Sequence, residues 1–580
     1  MSCYRFGFAM VLAMVAMTAA SSRALAVSYA SNITKTGTTV NFVLNSPADI
    51  LSYSINGGAP VTLDGSTKGA KTFNLVNVND TFSIVAERTD AAGYTTLTGN
   101  TVTGGGNKLF TDSPEAGLTV LSDDTSVLNR FSNPRGVSVS QNPNAPNFGT
   151  VYVANSANAT GTPQLIAASG IYPERTVTGD GLYALRPDGA DAFGYGNDAK
   201  NPTVEGFPAW VASSNNSPFR NYVADDGTIY VADFSDANGS LIQVQPDLNS
   251  AINVLPGFGG PTTLPVGQNH GSTTAVHVEG SLAAGNLKVY TIDEDLTSAQ
   301  FVEGGSTTDQ NSLWEYNIGS GPFPSAVVPT KIAEPLIPLA TTDMERGADG
   351  KWYLMQTRNG ALNSPTLFVV SADGSTVLFN SLEATRTLTA NPTADRDILQ
   401  YCNGVAVSPD QKWVALMLNI GDVAVIPLID GIPDLANKRV INTDPDVISG
   451  RDIAFDAAGN IHYVSSGQGL YRVLAPGGHT KATTSWNGTE FVFGVETITT
   501  TPGLAGDFNA DNVVDGADFL VWQRGGSPNP LSTGDLDLWK AHFGDVGSAT
   551  GAVGAVPEPS SLIVSLLAMA GFATFRRRVA

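Results

Sequence analysis

Apolar and polar residues alternate with a period of two through much of this chain, in short runs separated by turns. Such alternation is typical of β-strands that bury one face. Between residues 27 and 105 the runs are Thr39–Leu44, Ile50–Ile55, 71–75 and 81–86. Asn56-Gly57-Gly58 follows the second run and favours the positive φ angles of a hairpin turn. The pattern predicts a small β-sandwich over residues 27–105.

A longer unit recurs between residues 108 and 500. Each copy has a short apolar strand after a polar pair, a tight turn, and a second strand rich in aromatic residues. The matching turns include Asp225-Asp226-Gly227, Ala348-Asp349-Gly350 and Ala457-Ala458-Gly459. One unit alone leaves two apolar faces uncovered, and radial stacking would cover them. We therefore predict an irregular six- or seven-bladed β-propeller over 108–500, with an array of β-sandwiches as the alternative.

Two resemblances accompany these patterns. The Asn56-Gly57-Gly58 turn, with Lys68-Gly69 ahead of Thr72-Phe73, resembles the immunoglobulin-like fold of flagellar hook-capping proteins, which implies an Ig-like sandwich. The repeated unit resembles secreted propellers of the NHL or lactonase-like kind. The expected fold class is therefore mainly β.

Charge and cysteine content narrow the possible functions. The formal net charge is −22, which disfavours binding to nucleic acid and favours cations as ligands. The chain holds two cysteines, Cys3 and Cys402, and Cys3 lies in the segment that we predict to be removed. Cys402 would then have no partner for an intramolecular disulfide.

The first 26 residues are typical of a secretory signal peptide. Arg5 precedes an apolar stretch over 6–20, and Ala24-Leu25-Ala26 is a small-x-small cleavage site. The mature chain is therefore expected to be exported.

The last residues carry a second targeting pattern. Pro557-Glu558-Pro559 precedes an apolar run over 562–575, and Arg576-Arg577-Arg578 closes it. The run is shorter than the ~20 residues of a comfortable membrane span, which favours a transient stop signal or a thinly seated transmembrane anchor. The segment 557–580, after a linker over 547–556, resembles a PEP-CTERM sorting signal. That resemblance implies an exosortase as partner, passage through the inner membrane, and delivery to the cell surface or extracellular matrix.

An acidic loop near the C-terminus has the spacing of a calcium site. Oxygen donors fall at positions 1, 3, 5, 7, 9 and 12 of a 12-residue loop, and the seventh is a main-chain carbonyl. These donors are Asp507, Asn509, Asp511, Val513, Asp515 and Asp518. We expect them to bind Ca²⁺.

The segment 504–546 that contains this loop resembles a type I dockerin. A second, degenerate repeat keeps Asp535, Leu536, Leu538 and Trp539, but its loop has no carboxylate at positions 1, 3 or 5. The resemblance implies a small α-helical module with a cohesin-like partner, and a module that only stabilises the chain is the alternative.

Polar side chains just before the innermost strands of the repeats are candidates for a ligand site, because those positions of a propeller open onto the central channel. They are Arg135, Arg220, Arg346, Asn403 and Arg451. Their guanidinium groups could converge on an anion. Alternatively, they could pair with Asp343, Glu345 and Asp452 as a structural ring.

Metal chemistry in the channel is a further possibility. Asp293-Glu294-Asp295 could hold a metal as in lactonases or phytases, or could simply be solvated. The histidines show no metal-ligand spacing. We therefore expect an exported, non-catalytic interaction or adhesion protein of the matrix, with a matrix polysaccharide as a possible partner. The alternative is a propeller hydrolase with a divalent metal in the channel.

Overall fold

The computed structural model describes most of the chain between residues 27 and 545. The described residues are 27–90, 119–156, 164–177, 180–194, 218–232, 234, 241–255, 273–294, 296, 298, 305–320, 329–333, 341–356, 363–399, 402–419, 421–441, 449–475, 478–498, 506–509, 513–527 and 531–545. The predicted signal peptide and sorting tail lie outside them. The structure is mainly β. It divides into two compact units, Met1–Ile498 and Thr499–Ala580, which we describe separately.

The N-terminal strands form a sandwich, as predicted. The first six strands are β1 (Ala30–Thr36), β2 (Thr39–Leu44), β3 (Ile50–Ile55), β4 (Val61–Leu63), β5 (Gly69–Asn74) and β6 (Phe82–Asp90). Strands β1, β2 and β5 form one sheet, whereas β3, β4 and β6 belong to the other. Phe42, Leu51 and Phe82 meet in the core between them. Asn56 and Gly57 have φ angles of 51° and 70°, which confirms the predicted turn.

Six antiparallel blade sheets, and a separate two-stranded sheet made by the tenth and eleventh strands, follow along the chain. Their strands are β7 (Thr119–Val120), β8 (Pro134–Val139), β9 (Val151–Asn155), β10 (Gln164–Ile166), β11 (Arg175–Val177), β12 (Gly181–Leu185), β13 (Arg220–Val223), β14 (Ile229–Ala232), β15 (Leu241–Val244), β16 (Ala251–Asn253), β17 (Thr273–Glu279), β18 (Leu287–Asp293), β19 (Leu313–Gly319), β20 (Thr330–Ala333), β21 (Thr341–Arg346), β22 (Trp352–Gln356), β23 (Leu367–Val370), β24 (Val377–Asn380), β25 (Cys402–Val407), β26 (Trp413–Leu418), β27 (Val423–Ile429), β28 (Ile432–Pro433), β29 (Arg439–Ile441), β30 (Gly450–Phe455), β31 (Ile461–Ser465) and β32 (Leu470–Ala475). Helix α1 (Ser381–Leu388) follows β24.

The first strands of these sheets close into a ring. Strand β8 contacts β13, and the contacts continue through β17, β21, β25 and β30 back to β8. Each of the six junctions between neighbouring sheets has its own apolar cluster, such as the one that joins Tyr152 to Ile229. The described residues therefore form a six-bladed propeller, and the inner ring closes without a seventh blade.

The last blade is completed by a strand from the other end of the repeat region. Strand β7 pairs with β32 as the outermost strand of the blade that also contains β30 and β31. Arg472 of β32 forms a bidentate ion pair with Asp124, just after β7. This pairing ties the first and last repeats together.

The predicted boundary at residue 500 is wrong for two strands. Strands β33 (Gly478–Trp486) and β34 (Phe491–Thr497) follow the propeller in sequence, but β33 pairs with β6 and extends the second sandwich sheet. The chain therefore leaves the sandwich, forms the propeller and returns. Alternation within a strand does not reveal which sheet it joins, because a long-range pairing leaves no local signal.

The second unit contains two short helices, α2 (Gly516–Gln523) and α3 (Thr533–His542). Phe519 of α2 packs against Trp539 of α3 with ring centroids 4.8 Å apart. The segment predicted to be a small α-helical module therefore contains two helices. None of the helices among the described residues is both long and apolar enough to cross a membrane.

Candidate functional site: the central channel

A cavity of about 710 Å³ lies in the middle of the propeller. Residues of all six inner strands line it, together with the turns that follow several of those strands. Its size lies within the range of pockets that take small-molecule ligands.

Equivalent positions of the inner strands form a ring around this cavity, which we call the middle ring. In five of the six blades the middle-ring residue lies opposite a tyrosine or histidine of the second strand. The middle ring consists of Ser138, Tyr222, His277, Glu345, Ala406 and Ala454. Large polar groups therefore occupy one side, whereas two alanines leave space on the other.

One end of the cavity is held by Arg220. Its guanidinium donates hydrogen bonds to the main-chain carbonyls of Arg135, Asn403 and Arg451, the last at 2.8 Å. Its Nε lies 3.6 Å from a carboxylate oxygen of Asp343 and 3.7 Å from one of Asp452. The Arg220 side chain is buried, with 4% of its surface exposed. Through these contacts, one cation links its own blade to four others.

Regular β-bulges explain why those carbonyls are available. Five of the six inner strands skip one residue in their pairing at the same place, near the start of the strand. The skipped residues are Arg135, Thr274, Thr342, Asn403 and Arg451. A bulge leaves its extra residue outside the strand ladder. Three of these residues therefore offer their carbonyl groups to Arg220.

The two carboxylates near Arg220 also join neighbouring blades. Asp343 accepts a hydrogen bond from the Val405 amide at 2.8 Å, and Asp452 accepts one from the Val137 amide at 2.7 Å. Burial and the nearby charge of Asp452 raise the pKa of Asp343 well above its usual range. Burial also raises the pKa of Asp452. At this end of the channel, the contacts of Arg220, Asp343 and Asp452 therefore hold neighbouring blades together.

Tyr222, His277 and Glu345 are neighbours in the middle ring. The rings of Tyr222 and His277 have centroids 4.8 Å apart. His277 Nδ1 lies 3.8 Å from Glu345 Oε1, too far for a direct hydrogen bond. This nitrogen is buried and has no hydrogen-bond partner among the described residues.

The protonation states of this group follow from its surroundings. Burial, with a contribution from the charge of Asp452, raises the pKa of Glu345 to about 7. Burial and the nearby Arg346 guanidinium lower the pKa of His277 to about 3, so that this imidazole is neutral at neutral pH. Burial and the charge of Glu345 raise the pKa of Tyr222, whose hydroxyl stays protonated. Glu345 is therefore the member of the group that changes charge near neutral pH.

Arg346 occupies a different place from the one expected. It is the last residue of β21, three positions after Asp343, and is not equivalent to Arg135 or Arg451. Its guanidinium pairs with Glu279 and lies over the ring of Trp352, 4.6 Å from the centroid. In the sequence, Arg346 groups with the other polar residues because the β-bulges, which set the register of the first strands, leave no distinctive residue pattern in the repeat.

The structure does not bring the five predicted channel residues together on an anion. Arg220 and Arg346 line the cavity, but carbonyl or carboxylate groups engage both. Arg451 donates to Ser466 Oγ, and the Asn403 amide donates to Asn419 and to the Gly450 carbonyl. Arg220 instead pairs with Asp343 and Asp452, which is the alternative arrangement of a structural ring of ion pairs.

The balance of charge in the cavity is acidic. Two cations, Arg220 and Arg346, line it. The acidic lining residues are Asp225, Glu279, Asp343, Glu345, Asp349 and Asp452. An anion is therefore disfavoured here, since the local charges and the net charge of −22 have the same sign.

The described residues contain no group of three or more His, Cys, Asp or Glu side chains placed to hold a metal ion. In the channel, Arg220 lies against two of the carboxylates that a metal would need. Asp293 of the predicted acidic run is buried and accepts a hydrogen bond from the Leu296 amide, and Asp295 lies outside the described residues. A divalent metal in the channel has no described ligand set.

The calcium loop is described in part, and Asp511 lies outside the described residues. Asp518 lies in the first turn of α2, where its oxygens accept the main-chain amides of Phe508, Asn509 and Asp515. Asp515 caps the same helix through the Ala517 amide. These hydrogen bonds hold the loop against the helix, as expected for a carboxylate at position 12 of a calcium loop. Because Asp511 lies outside the described residues, the six expected calcium ligands are not all described. Calcium binding stays a prediction.

Tyr222, His277 and Glu345 were not predicted as a site. The signal that could have identified them is the aligned tyrosine of the second strands, Tyr230, Tyr290 and Tyr353, which fixes the register of the first strands. An alignment on those tyrosines would have placed the three residues at one level of the channel.

The fold and its channel define the class of this protein as a six-bladed β-propeller with a sandwich formed by both flanks of the repeat region. No protein-family model and no curated protein sequence matches the chain. Among solved structures it is similar to a gluconolactonase from Xanthomonas campestris, with 11% identity, coverage of 67% of this chain and 95% of that one, and a TM-score of 0.36. It is also similar to the WD40 propeller domain of Doa1 (10% identity, 60% and 93% coverage, TM-score 0.34). For virginiamycin B lyase from Staphylococcus aureus the values are 10% identity, 63% and 85% coverage, and a TM-score of 0.30. The propeller assignment rests on the sheets of this chain, and these likenesses carry no inference about activity.

Proposed function

We propose that this chain is an exported, non-catalytic binding protein and that its ligand site is the central channel of the propeller. The observation that supports this proposal is the cavity of about 710 Å³, held at one end by Arg220 and lined in its middle by Tyr222, His277 and Glu345. Buried polar groups with unused hydrogen-bonding capacity favour a polar ligand. A metal-dependent hydrolase is not our proposal, because Arg220 engages Asp343 and Asp452.

Export and surface location belong to the same proposal. They are supported by the signal-peptide pattern over 1–26 and by the resemblance of 557–580 to a PEP-CTERM tail. An exosortase would act on that tail at the inner membrane. A matrix polysaccharide or a cohesin-like protein would be a partner of the surfaces outside the channel.

The channel assignment is tested by filling the space beside Ala454. This alanine belongs to the middle ring that lines the cavity and is half-buried, whereas its neighbours Ile453 and Phe455 are buried in the apolar cluster shared with the preceding blade. We expect Ala454→Trp to keep the fold and to weaken binding by at least about 100-fold for any ligand found in a thermal-shift screen of small polar molecules. The comparison is made by calorimetry.

The control for this test is Val377→Trp on β24, which is 40% exposed and is not among the residues that line the channel. It should bind the ligand as the unchanged protein does. Equal affinity of Ala454→Trp and the unchanged protein would show that the ligand binds elsewhere.

We also propose that the loop before α2 binds Ca²⁺. Replacement of both Asp507 and Asp511 by alanine removes two of the expected ligands and should weaken calcium binding by at least about 100-fold in calorimetry. Calcium should also change the fluorescence of Trp522 and Trp539, because the loop folds onto the helices that carry them. Asp537→Ala, on the exposed side of α3, is the control. Unchanged calcium affinity in the double variant would refute the site.

A further inference from the structure

The gap between His277 and Glu345 is suited to a bridging donor. Their facing atoms, Nδ1 and Oε1, are 3.8 Å apart. A nitrogen that donates to both at ~2.8 Å, the usual length of a charge-assisted hydrogen bond, can bridge this distance, and because Nδ1 is buried the side chains around it must part to admit the ligand. His277 Nδ1 is buried without a hydrogen-bond partner among the described residues, and a donor placed between the two atoms would satisfy it.

The chemistry of the two atoms favours a cationic donor. Glu345 supplies carboxylate oxygens, and the neutral imidazole of His277 can supply a lone pair. The ring of Tyr222 lies beside His277 and adds an aromatic surface on which a cation is stabilised. The acidic residues that outnumber the two cations around the cavity add to this attraction.

The existing cations of the channel do not occupy this position. Arg220 is held at the closed end by three carbonyls and two carboxylates, whereas Arg346 is held by Glu279 and over Trp352. Glu345 Oε1 accepts a hydrogen bond from the main-chain amide of Arg346 at 3.0 Å, but both guanidinium groups pair with other carboxylates. When Glu345 is ionised, neither of these two guanidinium groups neutralises its charge, and a cationic ligand would do so.

We propose that the channel binds a primary ammonium group, which donates hydrogen bonds to Glu345 and His277 beside the ring of Tyr222. This inference rests on the proposed function, since it names the class of ligand for the same cavity. A primary ammonium has three donors and a compact charge, and it matches two adjacent acceptors better than a quaternary ammonium or a hydroxyl. An alkyl ammonium also stays protonated across the pH range in which Glu345 titrates.

Binding should depend on pH through Glu345. The titratable and charged groups around this carboxyl are His277 and Glu279 on β17, Arg220 and Tyr222 on β13, Asp343 and Arg346 on its own strand, Tyr353 on β22, and Asp452 on β30. Of these, the pKa of His277 is lowered to about 3, and those of Tyr222 and Tyr353 are raised. Because the pKa of Glu345 is raised to about 7, affinity should reach a plateau above about pH 7. Below that value it should fall by about tenfold per pH unit as the carboxyl gains a proton.

The experiment uses the purified protein and four small probes in an amine-free phosphate buffer. The probes are ethanolamine, tetramethylammonium, ethylene glycol and glycolate, which have similar sizes but differ in charge and in N–H donors. We expect ethanolamine to bind with a Kd on the order of 1 mM at about pH 8 in calorimetry, and the other three to bind at least about tenfold more weakly.

Glu345→Gln is the decisive variant, because it keeps the shape of the side chain and removes its charge. It should weaken ethanolamine binding by at least about tenfold and abolish the pH dependence between about pH 5 and about pH 8. Glu383→Gln on α1, where the side chain is 63% exposed, is the matched control and should behave as the unchanged protein. Thermal melting of both variants verifies that they are folded.

Two outcomes would overturn the inference. Ethylene glycol or glycolate binding as tightly as ethanolamine would show that charge does not select the ligand, and unchanged binding by Glu345→Gln would show that this carboxyl does not bind it. If another ligand then binds and Ala454→Trp abolishes that binding, the channel remains the site and only the ammonium assignment fails. If Ala454→Trp leaves that binding unchanged, the proposed function fails with it.

Discussion

Replacement of Arg220 by methionine should destabilise the propeller by about 3–5 kcal/mol. Methionine has a similar length but no donors, so three buried carbonyls and the carboxylates of Asp343 and Asp452 would lose their shared cation. An uncompensated buried charge is costly even when the ion pair itself adds little net stability. The expected observation is a large shift in urea unfolding, monitored by the fluorescence of the buried residues Trp314, Trp352 and Trp413.

Two further variants separate charge from geometry. Arg220→Lys keeps the charge but cannot reach all five groups with one ammonium, so it should fall between methionine and arginine in stability. Arg186→Met removes an arginine that is 32% exposed and pairs with Asp188 at 2.7 Å, and should cost less than about 1 kcal/mol. A loss below about 1 kcal/mol in Arg220→Met would mean that the closed end of the channel does not hold the blades together.

Glu345→Gln should make the protein more stable than the unchanged chain at alkaline pH, but not at acid pH. The pKa of Glu345 is raised to about 7 in the folded protein, chiefly by burial, whereas the unfolded chain has a value near 4.3. The folded state therefore binds more protons between those two values, and stability falls as the pH rises through that window. The amide has no charge to bury, so the variant does not suffer this loss.

The size of the effect can be measured as a difference between the two proteins. Their unfolding free energies should be similar near about pH 4 and should differ by up to ~3 kcal/mol near about pH 8. A difference of two proteins removes the contributions of the other titrating groups, including Asp343 and Asp452. Glu383→Gln, an exposed position, should show no such divergence. A constant difference across the pH range would contradict the raised pKa.

Much of the architecture could be predicted because it is encoded locally. The alternating runs gave the strands of the sandwich, and the repeated turn glycines gave the hairpins of the blades: Gly227, Gly350 and Gly459 all have φ angles between 83° and 86°. Glycine adopts this left-handed conformation without steric cost, so its position in a repeat marks the turn. The α-helical character of the second unit was also predicted, and the structure places α2 and α3 there.

The site was less predictable because it depends on register. The sequence identified Arg220 and its possible partners Asp343 and Asp452, but not that carbonyls of skipped residues would complete the ring. It aligned Arg346 with a position that Thr342 occupies, since a β-bulge inserts one residue without a distinctive composition. For the same reason Tyr222, His277 and Glu345 were not recognised as neighbours.

The sequence by itself determined that this is a β protein of repeated, turn-bounded strands with an acidic composition, and the targeting patterns read in it stay predictions. Periodicity, turn chemistry and net charge are properties of short segments or of the whole composition, and they do not require a fold to be read. Only the tertiary structure decided that six blades close the ring, that β33 and β34 return to the sandwich, and that the channel is acidic and held by one arginine. These features arise from pairings between residues far apart in the chain, and their energies depend on burial that no local pattern specifies.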